Sequence, residues 1–467
     1  MKTKSFVYVA LMCVLAWACQ TKTDENHSHD HGHDHGDHVH YAEYDKVLAH
    51  KLILPDKVPD RIIANLTATP ANSIGVNWRT SRAVGEGYVE VALATDGPEF
   101  AANVIKNIKA TTETFENQHE DEPLVKANFH SAVIEGLEAN TTYIYRVGFG
   151  DKSELWSEWF QITTASEDLQ DAFSFIYFGD AQNQVKSMWS RVIRNSYKQF
   201  PEVDFMLHAG DLINSRQSNL EWGEWFHAGN FIHATVPSIM TPGNHEYKNE
   251  VLTPLWRPQF TLPQNGPLEE LMETCFAVDY QNLKMISLDA LSLDDKPHSR
   301  KAQTVWLDSI LANNDKKWTA ITLHYPVFST VKDRDNKNVR EALKPLIDKY
   351  KVDLVLTGHD HTYARGEISN SPSGATSISD AGTIYAVSVS GPKMYTSNDE
   401  EWMERRGEYT QLFQIITIDN NTLKYQAFTP IGTLYDAFDL VKSNGKKQLI
   451  NKIPDTPVRF KSDFVKD

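Results

Sequence analysis

The stretch DFMLHAGDLIN, residues 204 to 214, sets a carboxylate directly behind an apolar run. Phe205, Met206 and Leu207 follow one another without a polar break, which is typical of a buried strand. Asp211 then stands where that strand would leave its sheet. In open α/β sheets, ligands bind at the carboxyl ends of the strands. The stretch therefore predicts an α/β domain with Asp211 at its ligand-binding edge.

Five further apolar runs end in the same way, in FSFIYFGDAQN, VPSIMTPGNHE, LKMISLDA, WTAITLHYP and DLVLTGHDH. Each run delivers Asp, Asn or His at its end, namely Asp180, Asn244, His245, Asp289, His324, His359 and His361. Carboxylates, imidazoles and an amide oxygen suit first-row metal ions, whereas the absence of cysteine among these strand-end residues argues against a thiolate zinc site. There are too many donors for one ion. Two ions about 3.5 to 4 Å apart need a shared ligand, and Asp211 is the bridging candidate.

The ordered motifs GDA, GDLIN, GNHE, a lone His and GHDH resemble those of the calcineurin-like metallophosphoesterases, specifically the purple acid phosphatase branch. The resemblance runs from about residue 173 to residue 365. GHDHTYAR is similar to the branch's GH-x-H-x-Y-E-R signature, with Ala364 in place of the Glu. A fibronectin-like domain commonly precedes the catalytic domain in this branch.

The resemblance implies a role for each motif residue. It assigns Asp180 and His361 to the first metal, Asn244, His324 and His359 to the second, and Asp211 to a position between them. It also makes His245 a catalytic group beside the metals. Asp289 matches no ligand motif and is left out of the site. His208, His227 and His233 are expected to be packed or solvated rather than bound to metal.

Two positions depart from the branch. The tyrosine of its GD-x-x-Y motif, whose phenolate binds ferric iron and gives the purple colour, is Asn214 here. We therefore predict a colourless protein. Gln182 stands where wider phosphoesterases place a histidine, and it either supplies a neutral oxygen to the first metal or hydrogen-bonds a ligand. Gln182 and Asn214 are counted as candidate ligands. The implied cofactor is a pair of iron, zinc or manganese ions, either both divalent or of mixed valence.

The resulting functional hypothesis is hydrolysis of phosphate monoesters by attack of a metal-bound hydroxide. His245 would protonate the leaving alkoxide. Candidate contacts to the substrate are Arg365, Arg340, Lys332 and His298.

Two alternatives stay open. A phosphodiesterase or nucleotidase would use the same pair of metals and differ only in the walls of its pocket. A non-catalytic surface lipoprotein that binds metal or a partner would carry a degenerate site. Retention of Asp211 and of the three imidazoles argues against the second alternative.

The N-terminus is typical of an exported chain. Lys2 and Lys4 precede the apolar run of residues 6 to 18, so residues 1–18 are predicted to be a signal peptide. The ending LAWAC resembles a bacterial lipobox, with Cys19 as the lipidated residue; a plain secretory signal is the alternative. No other run approaches the ~20 apolar residues of a membrane helix. We expect a lipoprotein tethered to the cell envelope, at the periplasm or the surface.

The remaining chain divides by pattern. Residues 19–57 include seven histidines between His27 and His40 and are predicted to be a disordered linker. Residues 58–165 show period-two alternation and predict an all-β domain resembling a fibronectin type III sandwich, with Leu137 and Tyr143 placed for a tyrosine corner. Residues 171–442 alternate apolar strands with helical stretches and predict an α/β layered domain. The resemblance implies that this is a metallophosphoesterase domain, with a β-sandwich core flanked by helices. Residues 443–467 are expected to be a tail.

Charge limits the partners. The formal net charge of −16 over 467 residues argues against a large nucleic-acid surface, which needs a basic face. The expected partner is a small phosphate ester, with membrane contact only through a lipid anchor. Nothing in the sequence indicates an oligomeric state.

Overall fold

A short helix, α1 (Lys46–Ile53), opens the part of the chain that the computed structural model describes, residues 46–368 and 381–464. Leu52 and Ile53 are buried at its end. The prediction of a disordered linker is therefore wrong over this helix, because two apolar side chains anchor it to the folded domain. The predicted signal peptide, Cys19 and the histidine run lie outside the described residues.

The N-terminal part of the described chain is an all-β sandwich, as the alternation predicted. Its two sheets have the strand orders β5-β6-β2-β1 and β4-β3-β7-β8. Inward-facing side chains such as Trp78, Val89 and Tyr145 form one core between them. The strands are β1 (Asp60–Leu66), β2 (Ser73–Ser81), β3 (Tyr88–Leu93), β4 (Lys106–Lys109), β5 (Thr111–Asn117), β6 (Val125–Glu135), β7 (Thr142–Gly148) and β8 (Phe160–Thr163).

A tyrosine corner closes one end of this sandwich. The hydroxyl oxygen of Tyr143 accepts a hydrogen bond of 2.9 Å from the backbone N–H of Glu138. The neighbouring Leu137 is buried in the sandwich core. The corner predicted from the sequence is thus formed, and it ties the start of β7 to the turn before it.

The rest of the chain alternates strands with helices. The strands are β9 (Phe173–Phe178), β10 (Phe205–His208), β11 (Ser238–Met240), β12 (Tyr247–Lys248), β13 (Val251–Leu252), β14 (Phe276–Tyr280), β15 (Leu283–Ser287), β16 (Trp318–Thr322), β17 (Leu354–Thr357), β18 (Tyr363–Ile368), β19 (Thr383–Val387), β20 (Arg405–Gly407), β21 (Phe413–Asp419), β22 (Thr422–Phe428), β23 (Leu434–Ser443) and β24 (Lys446–Asn451). The helices are α2 (Ser190–Gln199), α3 (Asn219–Gly229), α4 (Phe231–Thr235), α5 (Trp256–Gln259), α6 (Ala290–Asp295), α7 (Pro297–Ala312) and α8 (Lys337–Tyr350).

Two large sheets form the centre of this α/β part. One has the order β24-β23-β22-β21-β9-β10-β11 and continues into β1-β2-β6-β5, and the other has the order β14-β15-β16-β17-β19-β18-β20. Phe175 and Leu207 of the first sheet share a core with Trp318 and Leu356 of the second. The opposite face of the second sheet is covered by helices, including Leu343 of α8. The layered architecture is therefore the predicted one.

The N-terminal sandwich and the α/β part are joined through one continuous sheet. Strand β1 pairs in parallel with β11, with Asn65 opposite Ser238. The side-chain amide of Asn65 also donates a hydrogen bond of 3.2 Å to the backbone oxygen of Ser238. The boundary predicted between residues 165 and 171 therefore separates two sequence patterns but not two independent sheets.

The predicted C-terminal tail is wrong over its first half. Residues 446–451 form β24, which pairs antiparallel with β23. Asn444 and Gly445, with φ of 52° and 73°, make the tight turn between them. Asn-Gly is a strong hairpin signal because both residues tolerate positive φ.

The topology brings six strand ends to one edge. Strands β9, β10 and β11 are parallel in the first sheet, and β15, β16 and β17 are parallel in the second. Parallel strands end on the same side of a sheet, so the polar residues that follow them can meet. Among the described helices, none is both long enough and apolar enough to cross a bilayer.

Candidate metal centre

The predicted ligands converge at the edge where the parallel strands end. Asp211, which follows β10, belongs to both of two groups of potential ligands. One group consists of Asp180, Asp211 and His361, and the other of Asp211, His324 and His359, with the ligand atoms of each group within 4.8 Å of one another. This is the arrangement expected for two ions that share one carboxylate.

Asn244 joins the second group through its side-chain oxygen. Its Oδ1 lies 3.2 Å from Nε2 of His324. The same Nε2 lies 3.2 Å from Oδ2 of Asp211. One amide oxygen, two imidazoles and a shared carboxylate can therefore surround one ion.

Backbone carbonyls orient two of the imidazoles. Nδ1 of His324 donates to the oxygen of Ala209 at 2.8 Å. Nδ1 of His361 donates to the oxygen of Lys393 at 2.9 Å. Because a carbonyl can only accept, each Nδ1 carries a proton, and each Nε2 is the nitrogen that faces the centre and could bind an ion.

Three ligand residues have a left-handed backbone. The φ angles are 51° for Asp211, 73° for His359 and 48° for His361. Residues other than glycine adopt this region at a cost of about 1–3 kcal/mol, and such residues cluster at functional sites. Local packing must therefore hold these residues in place.

The buried carboxylate of Glu246 supplies part of that support. It accepts hydrogen bonds from the backbone N–H of Asp211 at 3.0 Å and of Leu212 at 2.8 Å. It also accepts one of 2.7 Å from Gly243. Glu246 thus ties the loop that carries Asp211 to the loop that carries Asn244.

Asp180 is held from two sides. The N–H of His359 donates to both of its carboxylate oxygens, at 3.0 and 2.8 Å. The N–H of Gly391 donates to its backbone oxygen at 2.5 Å. These contacts link the end of β9 to the loops after β17 and β19, and they give Gly391 a structural role in the site.

Gln182 faces the ligands from the first sheet and is fully buried. Its Nε2 lies 3.0 Å from Oδ2 of Asp211 and 2.9 Å from Nε2 of His361. Its Oε1 is buried without a hydrogen-bond partner among the described residues. A buried amide oxygen without a partner beside carboxylates and imidazoles fits a metal centre, because a metal ion would satisfy such a donor.

The charges of the centre are strongly perturbed. Burial raises the pKa of Asp180 to about 7, with the nearby Asp211 contributing. Burial alone would also raise the pKa of Asp211, but His324 and His245 bring it below its ordinary value. Burial lowers the pKa of His361 to about 3. Burial alone would lower the pKa of His324, but Asp211 and Asp180 raise it to about 9, so a cation bound here would replace the proton on this imidazole. Clustered carboxylates and imidazoles in a buried site form a donor set suited to divalent cations.

His245 stands beside the bridging residue. The backbone N–H of His245 donates to Oδ1 of Asp211 at 2.9 Å. The ring Nδ1 of His245 donates to the backbone oxygen of Asn214 at 2.6 Å. Nε2 is thereby the ring nitrogen left to meet a ligand. The backbone N–H of Asn214 donates to Glu221 at 2.7 Å. Asn214 thus orients His245 through its backbone oxygen, and its backbone N–H is bound to Glu221.

Three further residues that the sequence did not single out lie around the ligands. Nη1 of Arg334 donates to the backbone oxygen of His359 at 3.2 Å. The ring of Tyr395 lies 4.8 Å from that of His361, and the guanidinium of Arg334 lies 5.8 Å from the Tyr395 ring. The ring of Tyr325 lies 4.4 Å from that of His359. Together with Lys393, whose backbone oxygen accepts from His361, these three residues form what we call the rim of the centre.

Arg365 is corrected from a substrate contact to a structural residue. It is fully buried, and its guanidinium donates to both oxygens of the buried Asp436, at 2.9 and 2.7 Å. It also donates to Asn451 at 2.7 Å. A guanidinium with these partners is not available to a phosphate.

The other predicted substrate contacts lie outside the ligand cluster. Arg340 is on α8 and forms an ion pair with Asp335. His298 is exposed in the first turn of α7. Lys332 is exposed in the segment before α8. No recorded contact joins any of the three to the ligands among the described residues.

The residues expected to lie outside the site do so. Asp289 accepts a hydrogen bond of 3.0 Å from the N–H of Ser292 and begins α6. His208 and His233 are buried among aromatic rings. His227 is exposed on α3.

Two family matches cover most of the described chain. Residues 59–164 match the family described as "Purple acid Phosphatase, N-terminal domain", and residues 173–363 match "Calcineurin-like phosphoesterase". The boundary between them falls in the segment between β8 and β9.

Individual relatives are distant. An uncharacterized protein of Mycobacterium tuberculosis is 24% identical, and the match covers 62% of this chain and 59% of that protein. Purple acid phosphatase 1 of Ipomoea batatas is 26% identical over 52% of this chain and 53% of its own. The chain thus spans less than two thirds of the length of these relatives.

A solved structure shares the fold. The purple acid phosphatase PPD1 from seeds of yellow lupin (Lupinus luteus) aligns with a TM-score of 0.67 and 18% identity. The alignment covers 83% of this chain and 75% of the lupin chain. With its tandem family matches, this fold and the ordered ligand motifs, the chain belongs to the calcineurin-like phosphoesterases, in the purple acid phosphatase-like branch.

Proposed function

We propose that the protein hydrolyses phosphate monoesters with two metal ions that share Asp211. The observation that carries the proposal is the membership of Asp211 in both ligand groups, which leaves each group incomplete without it. When bound, the two ions would supply charge for the phosphate oxygens and acidify a water nucleophile.

The chain's own residues position the reactants. Asp180, Asp211, Asn244, His324, His359 and His361 would hold the ions, and Gln182 lies against two of those ligands. The Nδ1–H of His245 donates a hydrogen bond to the backbone oxygen of Asn214, so Nε2 carries a proton when the ring is an imidazolium. That proton would pass to the leaving oxygen and leave a neutral imidazole. This assignment makes His245 the general acid.

The rim supports a monoester over a diester. Arg334, whose side chain is 29% exposed, lies next to His359 and pairs with the buried Asp360 at 2.7 Å. Lys393, whose ammonium lies 5.7 Å from the Tyr395 ring, adds a second positive charge to the rim. A monoester carries about two negative charges near neutral pH and a diester one, so a cationic rim favours the monoester. The same reasoning makes a diester the slower substrate.

Turnover of two chromogenic esters tests the proposal. The full chain, loaded in turn with zinc, manganese or iron, would be assayed with nitrophenyl phosphate and with bis(nitrophenyl) phosphate. We expect faster release from the monoester and a loss of at least about 10³-fold in Asp211→Ala, because one substitution weakens both ion sites. Activity that survives in Asp211→Ala contradicts the proposal, and a faster diester rate replaces the monoester assignment.

Asp289→Asn is the matched control. Asp289 is also a buried carboxylate behind a strand, but it caps α6 and belongs to neither ligand group. Asparagine is an equally good cap. Its turnover should stay close to that of the unmodified chain.

A further inference from the structure

A lysine-lined cavity of about 510 Å³ opens at the opposite end of the strands from the metal centre. Lys317 precedes β16 and Asp353 precedes β17, whereas His324 and His359 follow the same two strands. At about 3.3 Å per strand residue, the cavity and the centre are roughly 20 Å apart. The two are therefore separate sites.

The charge of the cavity is opposite to that of the chain. Six of its lining residues are lysines and one is an aspartate, although the whole chain has a net charge of −16. The lysines come from the loop before β16, the end of α8 and the β23–β24 hairpin. They are Lys316, Lys317, Lys351, Lys442, Lys446 and Lys447.

The lining carboxylate neutralises only part of that charge. Asp353 is buried and lies 2.7 Å from Nζ of Lys442 and 3.1 Å from Nζ of Lys447. It also accepts a hydrogen bond of 2.9 Å from the N–H of Thr319. One carboxylate thus pairs with two ammonium groups, and Asp353, Lys442 and Lys447 together retain a net positive charge.

Lys317 is held in place by neutral groups. Its Nζ donates to the side-chain oxygens of Asn420 and Asn421, both at 2.6 Å. Amide oxygens fix the position of an ammonium group without cancelling its charge. In the same cavity, burial lowers the pKa of Lys442; Asp353 opposes this shift, and Lys447 and Lys317 add to it. A positive potential is therefore built into the cavity.

We propose that this cavity binds a small, multiply charged anion with clustered phosphate groups. Ammonium groups on several loops suit phosphate oxygens as point charges, and the volume is that of a small-molecule site. An extended polyanion is disfavoured because the remaining surface is acidic. The cavity is a second anion site, and it does not depend on hydrolysis at the metal centre.

Methylenediphosphonate is a suitable probe because its P–C–P bridge is not hydrolysed. We would titrate the metal-loaded full chain by calorimetry and compare Asp211→Ala with Lys317→Gln, Lys446→Gln and the double variant. Asp211→Ala removes binding at the metal centre, so it isolates the cavity. At the cavity we expect one equivalent of the probe to bind. The double lysine variant should weaken this binding about tenfold or more, and raising the salt concentration should weaken it further.

Lys424→Gln is the charge-matched control, because Lys424 is exposed on β22 and does not line the cavity. It should bind the probe like the unmodified chain. Unchanged binding in the double lysine variant overturns the proposal, as does equal weakening by Lys424→Gln. Binding of anionic lipid vesicles without binding of the probe would also overturn it in favour of a membrane surface. If Asp211→Ala still hydrolyses nitrophenyl phosphate, that result contradicts the function proposed for the metal centre and leaves the proposal for the cavity unaffected.

Discussion

Gly243 lies so close to Asp211 that a Cβ atom added at Gly243 would come within 2.1 Å of Oδ1 of Asp211. This contact is shorter than any real contact of a Cβ atom, so Asp211 or the Gly243 backbone would have to move. The carboxylate of Asp211 therefore owes its position to the absence of a side chain at Gly243 on the neighbouring loop.

Gly243→Ala should accordingly lower kcat by about 10²-fold or more, because a displacement of about 1 Å at a catalytic group has an effect of that size. Metal analysis and steady-state kinetics would measure the change. Gly85→Ala is the matched control, since a Cβ at Gly85 meets no atom within 4 Å. Equal kinetics of the two variants would contradict the proposed role of the contact.

Gln182→Leu should weaken the binding of one of the two metal ions. The amide of Gln182 lies against Asp211 and His361, so its loss removes either a ligand or a hydrogen bond to ligands. Loss of such support typically costs about 10–100-fold in metal affinity. Competition with a chelator would show the chain retaining one ion where the unmodified chain retains two.

Two companion variants sharpen the Gln182 test. Gln182→His offers an imidazole nitrogen and should retain both ions. Gln414→Leu is the control, because Gln414 is equally buried and has an Oε1 without a partner among the described residues, but it lies on β21. Loss of an ion in Gln414→Leu would show that the effect is general destabilisation.

Arg334→Gln should raise KM for the monoester about tenfold and change the diester less. The guanidinium reaches the rim next to His359, and a diester has less charge for it to meet. Because Arg334 also donates to the buried Asp360 at 2.7 Å, Arg334→Lys is needed to keep a positive charge there. In Arg334→Lys the KM for the monoester should lie between those of Arg334→Gln and the unmodified chain.

Arg340→Gln provides the comparison for Arg334. Arg340 pairs with Asp335 before α8, and we expect its substitution to leave both KM values unchanged. A rise in KM that is confined to Arg340→Gln would restore the residue as a substrate contact. Arg334 and Arg340 lie only six positions apart in the sequence, so sequence position does not show which of them contacts the substrate. The KM values of the two variants decide this.

The strand ends were readable from sequence because each ligand directly follows a buried run. Asp180, Asp211 and His324 became candidates through the apolar pattern and the rule that parallel strands end together. The exclusion of Asp289, which also follows a buried strand, needed the family motifs. Glu246 and Arg334 had no such signal. Their roles arise from contacts between loops that meet only in the folded chain.

Arg365 shows where motif reasoning failed. The residue follows the GHDH motif closely, but it lies on β18 in line with Tyr363, two positions earlier. Side chains two apart on a strand share a face. Tyr363 and Arg365 both bond the buried Asp436, at 2.7 and 2.9 Å, so this face turns into the core. The alternation along the strand could have shown it.

The iron-loaded protein should have no tyrosinate charge-transfer band. Asn214 occupies the tyrosine position of the GD-x-x-Y motif, and it contributes backbone contacts to His245 and Glu221. An absorbance scan across the visible range after loading with iron checks this. A strong band would contradict the prediction, and Tyr395→Phe would then test whether the ring beside His361 is its source.

His130 should make the N-terminal sandwich sensitive to acid. It is fully buried, and burial lowers its pKa from 6.5 to about 4. Nε2 lies 2.8 Å from Oγ1 of Thr80, and Nδ1 lies 2.9 Å from Oγ1 of Thr112. Between pH 6.5 and about 4 the unfolded chain binds a proton on this histidine that the folded chain does not. The free energy of unfolding therefore falls as the pH falls through that window.

Denaturant unfolding at several pH values measures this effect. The contribution of His130 is on the order of 2–3 kcal/mol between the two ends of the window. His130→Gln should flatten the dependence of the unfolding free energy on pH by that amount, whatever its effect on stability at neutral pH. His119→Gln, a half-exposed histidine of the same sandwich, should leave the slope unchanged. An unaltered slope in His130→Gln would mean that His130 accepts its proton without disturbing the fold, and that its two threonine contacts accommodate the charged ring.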